Sequence, residues 1–270
     1  LMVGREISFT TEKTPPKFGD VVLKVEGLTV KNQAGYDAVK SVSFEIHAGE
    51  VFAVAGVSGN GQNELADAIA GLMPCSAGRI TLNGNDITRS SVRDRINDGI
   101  AYIPEDRHNV GLVLDFTLRD NFPLRRYYSP MFSKKGVISE SAFNEHGQKL
   151  LETYDIRSSQ GNATITRSMS GGNQQKAIIA REVDMKTPLI IFMQPTRGLD
   201  AGAVMNIHKQ IIAERDRGAA VLLISLDLDE IMDCADTIAV IYNGSINKIA
   251  PAEEISVEDI GLYMMGVRKS

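Results

Sequence analysis

Val51-Phe52-Ala53-Val54-Ala55-Gly56-Val57-Ser58-Gly59-Asn60-Gly61-Gln62-Asn63 is the stretch on which the fold turns. Its first five residues are uniformly apolar, as a strand buried on both faces requires. Three glycines follow within six positions, and then a helix on which Leu65, Ile69 and Leu72 are expected to share one face. A strand that breaks through glycines into a helix aims backbone N–H groups at one point ahead of that helix, where an anion can be held. The fully equipped phosphate-loop pattern, G-x-x-x-x-G-K-[ST], puts lysine at position 62 and a hydroxyl at 63. Gln62 and Asn63 stand there instead. A dinucleotide fingerprint fails, because Glu64 occupies the place of its third glycine. Losing one charged hydrogen bond of about 1.5–3 kcal/mol weakens binding by roughly 10- to 150-fold, while the amides and the helix dipole remain. Glycines collecting at an ordinary strand-to-helix turn are the lesser alternative for the loop taken alone, so the rest of the chain has to decide.

Outward from this loop, apolar runs predict strands at 22–30, 42–46, 100–103, 189–192, 220–225 and 237–242, with helical segments such as 203–217 between the later ones. That alternation favours a mostly parallel sheet. Residues 112–165 lack strong strands and read as a helical insertion. Residues 12–20 mix lysines, prolines and Gly19 with a single large apolar side chain, Phe18, which is linker chemistry. The expected organisation is therefore a preceding tail and linker over 1–20 and one domain over 21–270. Leu1 in place of an initiator methionine agrees with an excised piece.

The 270 residues are 43% hydrophobic and 23% charged, with a net charge of −5, so no basic field invites nucleic acid. No apolar run reaches the roughly 18 residues needed to span a bilayer, and no secretory leader is visible. Membrane association would come through a partner. Cys75 and Cys234 read as thiols in a reducing compartment. His47, His108, His146 and His208 show no metal-ligand spacing with them and read as ordinary structural or surface residues.

Two further motifs decide. Ser170-Gly171-Gly172-Asn173-Gln174 heads a helix running to Arg181, a second anion-binding start unless Ser170 is a simple N-cap. Leu189-Ile190-Ile191-Phe192-Met193-Gln194-Pro195-Thr196-Arg197-Gly198-Leu199-Asp200 is a buried strand ending in a turn. Glycine loop, Ser-Gly-Gly helix, apolar strand and Pro-Thr-x-Gly-Leu-Asp, in this order, resemble the ATP-binding cassette family over nearly the whole chain. More narrowly, Gly59-Asn60-Gly61-Gln62, the Ser-Gly-Gly-Asn-Gln-Gln-Lys run and Pro-Thr-Arg-Gly-Leu-Asp resemble the second cassette of the two-cassette ATPases of simple-sugar and nucleoside importers. Met2-Val3-Gly4-Arg5 is similar to the close of the first cassette.

The resemblance implies an α/β P-loop NTPase (RecA-like) fold: a mostly parallel sheet, a small antiparallel β subdomain and an inserted helical subdomain at roughly 112–165. It places Gly56, Val57, Ser58, Gly59, Asn60, Gly61, Gln62 and Asn63 in a degenerate nucleotide loop, and Glu105 at the Q-loop position. Met193 stands where an aspartate assists Mg²⁺, a soft thioether for a hard cation. Gln194 replaces the glutamate that polarises water, Leu226 the switch histidine, and Asp200 is the D-loop contact. A lost general base alone costs about 10²–10⁴-fold in rate, and here lysine, metal ligand, base and switch are absent together. No catalytic residue and no metal ligand is expected in this half.

In the family, two cassettes face head to tail. Ser170, Gly171, Gly172, Asn173 and Gln174 would complete the first cassette's site, where ATP and Mg²⁺ act, and ATP at this chain's own loop would be weak or structural. The implied partners are the first cassette of the same polypeptide, transmembrane permease subunits meeting the Glu105–Arg107 region and the insertion, and, indirectly, an extracytoplasmic substrate-binding protein. The implied location is the cytoplasmic side of the cell membrane, and the cargo a nucleoside or simple sugar. An adenine-stacking aromatic is expected near Tyr36, although an ungapped match puts Gln33 there. A stand-alone NTPase would carry Lys at 62 and Glu at 194, and both are absent. A cassette protein of translation or DNA repair would carry basic arms or long coiled-coil insertions.

Overall fold

The computed structural model describes residues 13–267. In chain order its elements are β1 (Val21–Lys31), β2 (Asp37–His47), β3 (Glu50–Ala55), α1 (Gln62–Ala70), β4 (Cys75–Leu82), β5 (Asn85–Asp86), α2 (Val92–Asp98) and β6 (Ile100–Ile103). The insertion holds α3 (Leu118–Asn121), β7 (Ser133–Lys134), β8 (Val137–Ile138), α4 (Glu140–Thr153) and β9 (Ser159–Asn162). The chain continues through α5 (Gly171–Val183), β10 (Leu189–Met193), α6 (Ala201–Asp216), β11 (Ala220–Ser225) and α7 (Leu228–Cys234). It ends with β12 (Thr237–Tyr242), β13 (Ser245–Pro251) and α8 (Val257–Met264).

The main sheet runs β13-β12-β3-β11-β10-β6, parallel except for the β12–β13 pair. A second sheet, β2-β1-β4-β5, is antiparallel. Period-2 alternation explains why β3 is apolar from Val51 to Ala55. Phe52 and Val54 enter the core shared with β1, β2 and α1, while Val51, Ala53 and Ala55 enter the one covered by α5, α6, α7 and α8. A third, smaller core joins the insertion to α5 through Leu118, Phe122, Leu150, Ala177 and Ala180.

One expectation needs correction. Leu72 does not extend the apolar face of α1: Gly71 closes that helix in the left-handed region at φ 84°, donating to the Ala68 and Asp67 carbonyls, and Leu72 is 47% exposed. The insertion holds one 14-residue helix, one short helix, and the β7–β8 hairpin. Residues 13–20 form no helix and only reach β1 at their end, yet they are fastened to the domain. Lys13 Nζ donates to the Ala235 carbonyl at 2.5 Å, Arg215 Nη2 to that of Thr14 at 2.9 Å, and Phe18 stacks on His47. Met2-Val3-Gly4-Arg5 lies outside the described residues. Among the described residues no helix is long and apolar enough to cross a membrane.

Candidate functional site

Strand register assembles the site. Ala55 pairs with Ser225, Ile224 with Met193, and Phe192 with Ile103, so β3, β11, β10 and β6 end along one edge. The glycine loop, Leu226, Gln194 and Glu105 leave that edge together, at the carboxyl ends of parallel strands where open α/β sheets hold their ligands.

Within the loop, Gly59 and Gly61 lie at φ 87° and 98°. A Cβ on Gly61 would come 2.2 Å from the Ala38 carbonyl oxygen, so only glycine passes there. The Gln62 side chain turns back into the loop it follows. Its Oε1 accepts from the Asn60 N–H at 3.0 Å and its Nε2 donates to the Val57 carbonyl at 3.0 Å, in a residue only 2% exposed. The carboxamide thus holds an amide that an anion would otherwise use. The loop is also tied to the β12–β13 turn, through Asn243 N–H to Asn60 Oδ1 at 2.7 Å and Gly244 N–H to the Asn60 carbonyl at 3.2 Å.

A polar chain runs from the loop to the Ser170 helix start. Asn63 Nδ2 donates to Glu105 Oε2 at 3.3 Å, and Glu105 Oε1 pairs with the Arg197 guanidinium. Arg107 then donates to the Arg197 carbonyl at 3.2 Å and to the Gly171 carbonyl at 3.3 Å. Asp106 N-caps the π-helical turn that presents Arg107, accepting from the His108 and Asn109 N–H groups. Those backbone bonds, together with the Asn109 side chain, hold its carboxyl below the usual range. The roles of Arg107 and Arg197 as links in this chain are not legible in the sequence, because their partners lie 64 to 92 positions away.

At the α5 start, Ser170 is the N-cap residue without capping through its side chain, and its Oγ accepts instead from Asn173 Nδ2 at 3.0 Å. Ser170 and Gly171 are exposed, whereas Gly172 and Asn173 are half-buried. Gln174 differs from its neighbours. It is buried, donating to the Thr166 carbonyl at 2.9 Å and meeting His108 Nε2 at 3.0 Å, so it holds the helix down instead of facing outward.

Met193 is buried in the core at the end of β10. Gln194 adopts φ 45° and donates its N–H to the Ile224 carbonyl at 2.8 Å. Asp200 Oδ1 caps α6 through the Ala203 N–H at 3.0 Å. Leu226 is 38% exposed. Gln33 lines a cavity of about 430 Å³ with Asn32, Ala34 and Asn63, while Tyr36 stands outside it, 75% exposed. Beneath α1, the Tyr102 hydroxyl donates to Asp67 Oδ1 at 2.9 Å. Burial raises the Asp67 carboxyl, and the Tyr102 bond works against that rise. His208 is buried on α6, and its ring meets Asp233 and Cys234 with the ligand-capable atoms all within 4.8 Å of one another.

A nucleoside import ATP-binding protein of Lactococcus lactis and a guanosine import ATP-binding protein of Bacillus subtilis are each 46% identical over 266 residues, 98% of this chain and 52% of theirs. A glucose import ATP-binding protein of Haloferax volcanii is 38% identical over 267 residues, 98% of this chain and 48% of its own. The chain thus spans about half the length of the curated relatives it matches. Among solved structures, the ADP conformation of an ATP-binding cassette of an ABC transporter superposes with a TM-score of 0.73 at 21% identity, covering 92% of this chain and 96% of that one. A nucleotide-free cassette superposes with a TM-score of 0.74 at 21% identity, covering 90% and 99%. These likenesses show the RecA-like P-loop NTPase fold, with a mixed sheet and helical insertion. The family model described as ABC transporter matches residues 39–197, well over half of the sequence, and the chain belongs to the ABC transporter family.

Proposed function

We propose that this chain is the second, C-terminal cassette of a two-cassette import ATPase, with a degenerate nucleotide loop of its own and a Ser170 helix start lent to the first cassette's site. The observation that carries this reading is the Gln62 carboxamide seated inside the loop. Displacing its two hydrogen bonds at about 0.5–1.5 kcal/mol each would weaken phosphate binding by roughly 5- to 150-fold, beyond the loss of the lysine charge.

A divalent cation fits this site poorly. Met193, a buried thioether at the end of β10, stands where a hard carboxylate oxygen would assist Mg²⁺, and Asn63 replaces the loop hydroxyl. ATP and Mg²⁺ would act at the first cassette, and Ser170 and Gly171, exposed at an uncapped helix start, would supply N–H groups and helix dipole to the phosphates there. The chain alone would turn over little or no ATP. Asp200 would meet the first cassette across the interface.

Transmembrane permease subunits are the proposed second partner. An apolar cavity of about 300 Å³ between α2 and the insertion, lined by Val92, Ile96, Val110 and Val113 among others, offers a groove for an apolar helix, and Val110 is 56% exposed beside it. Docking there would hold the chain at the cytoplasmic side of the membrane, with a substrate-binding protein engaged only through the permease. Nucleoside import is the favoured cargo class, since the relatives named for nucleoside and guanosine import exceed the glucose relative in identity, and simple sugar is the alternative.

The test is Ser170→Arg in the two-cassette protein. Turnover should fall to background while the melting profile is kept. Unchanged turnover in a folded variant overturns the lent helix start, and robust Mg-dependent hydrolysis by this chain alone overturns the degenerate loop.

A further inference from the structure

Away from the nucleotide edge, α6 and α7 bring together four side chains that the proposed function does not use. On α7, Glu230, Asp233 and Cys234 stand at i, i+3 and i+4, spacings that share one helix face. That face meets His208 of α6. His208 Nδ1 lies 2.8 Å from Asp233 Oδ2, and the ligand-capable atoms of His208, Asp233 and Cys234 all lie within 4.8 Å of one another. On the far side of the ring, Nε2 stands 3.4 Å from Glu230 Oε1.

The cluster is buried: His208 is 6% exposed, Glu230 2% and Cys234 not at all. Among the described residues, both Glu230 carboxylate oxygens and His208 Nε2 lack a hydrogen-bond partner, and the 3.4 Å approach between them is an ion-pair contact only. A carboxylate taken out of water is expensive unless it is paired and hydrogen-bonded, and Glu230 has the His208 ring, at 3.4 Å, as its nearest charge partner.

We propose that His208 Nδ1, Asp233 and the Cys234 thiolate bind a zinc ion that clips α6 to α7, with Glu230 accepting the Nε2–H that orients the imidazole. One nitrogen, one sulfur and one carboxylate oxygen form a donor set suited to zinc, and a water completes four-coordination. The Asp233 side chain, about one-tenth exposed, gives ion and water their access. Zinc ligands 2.0–2.3 Å from the metal stand about 3.5 Å apart, so the His208–Asp233 pair, now at 2.8 Å, must open by under 1 Å, while no pair of the three groups, all within 4.8 Å, needs to close by much more than 1 Å. A carboxylate on the second ring nitrogen is the usual way a ligating histidine is oriented.

The test is titration of chelator-stripped protein with cobalt(II), and then zinc, in a Cys75→Ser background, because Cys75 is the other thiol. One equivalent of cobalt should produce thiolate-to-metal charge-transfer absorption, zinc should abolish it by displacement, and zinc should raise the melting temperature. Cys234→Ser should remove the absorption. Glu230→Gln should keep it while weakening zinc by about 10- to 100-fold. Absence of the charge-transfer band in the Cys75→Ser protein, which needs no change within the cluster, overturns the site. So does a band that survives Cys234→Ser, and the four groups are then a buried ion-pair cluster only.

Discussion

Gln62 Nε2 donates to the carbonyl of Val57, five residues earlier, and this one bond folds a helix side chain back into the loop that precedes it. The same carboxamide accepts from Asn60, so both of its polar ends are satisfied inside the turn. The loop keeps the backbone shape of an anion cradle while its own side chain engages one of the cradle's amides.

Gln62→Ala should open that cradle. Removing two hydrogen bonds of about 0.5–1.5 kcal/mol each predicts about 5- to 150-fold tighter binding of a fluorescent ATP analogue, and Gln62→Lys should tighten it further by adding charge. Equilibrium titration of the two variants against the native chain checks this. An alanine variant that melts normally and binds no better would show that the carboxamide does not obstruct the loop.

Arg107 bridges the Arg197 and Gly171 carbonyls, and with Glu105 it connects the loop to the α5 start. Arg107→Ala should leave the melting temperature nearly unchanged, because exposed polar contacts contribute about 0–1 kcal/mol. If the α5 start serves the opposite site, its displacement should still lower turnover of the two-cassette protein by about tenfold or more. Parallel melting and steady-state turnover measurements separate the two effects.

Gln194→Glu restores a carboxylate after β10, but Gln62, Asn63, Met193 and Leu226 would remain. Groups that act as a unit are not rescued singly. In a two-cassette protein whose first site is inactivated, the single variant should stay at background. Turnover approaching that of the normal first cassette would refute the degenerate-site reading.

Tyr102→Phe removes the hydroxyl donated to Asp67 and should cost about 1–3 kcal/mol by leaving a half-buried carboxylate short of a bond. Burial already holds the Asp67 pKa above its ordinary 3.8, and this substitution raises it further. A raised carboxyl means that the folded state keeps its proton longer, so stability falls as pH rises from 3.8 through the folded value and then levels. The deficit of Tyr102→Phe should therefore be smaller at acidic than at neutral pH. Urea melts at several pH values will show it, and a pH-independent deficit would contradict this.

The main sheet was legible because its central strands are buried on both faces. The predicted bounds 100–103, 220–225 and 237–242 coincide with β6, β11 and β12, whose residues are nearly all buried. β4 and β13 escaped because most of their side chains face outward and leave no apolar run to read. Leu72 misled because the periodicity of α1 carries no sign that Gly71 ends it. In the site, the glycines and the missing lysine were readable, since an anion loop demands those residue types in fixed order. The inward turn of Gln62 was not, because it depends on a rotamer that local chemistry leaves open.

What the sequence by itself determined is the cassette architecture and the place of each motif along it, because burial periodicity and loop chemistry are local properties of the chain. Only the tertiary structure decided which side chains meet. Glu105 finds Arg197 across 92 positions, and His208 finds Cys234 across a strand and a turn. Such contacts follow from strand order and helix packing, which bring together residues that no local pattern links.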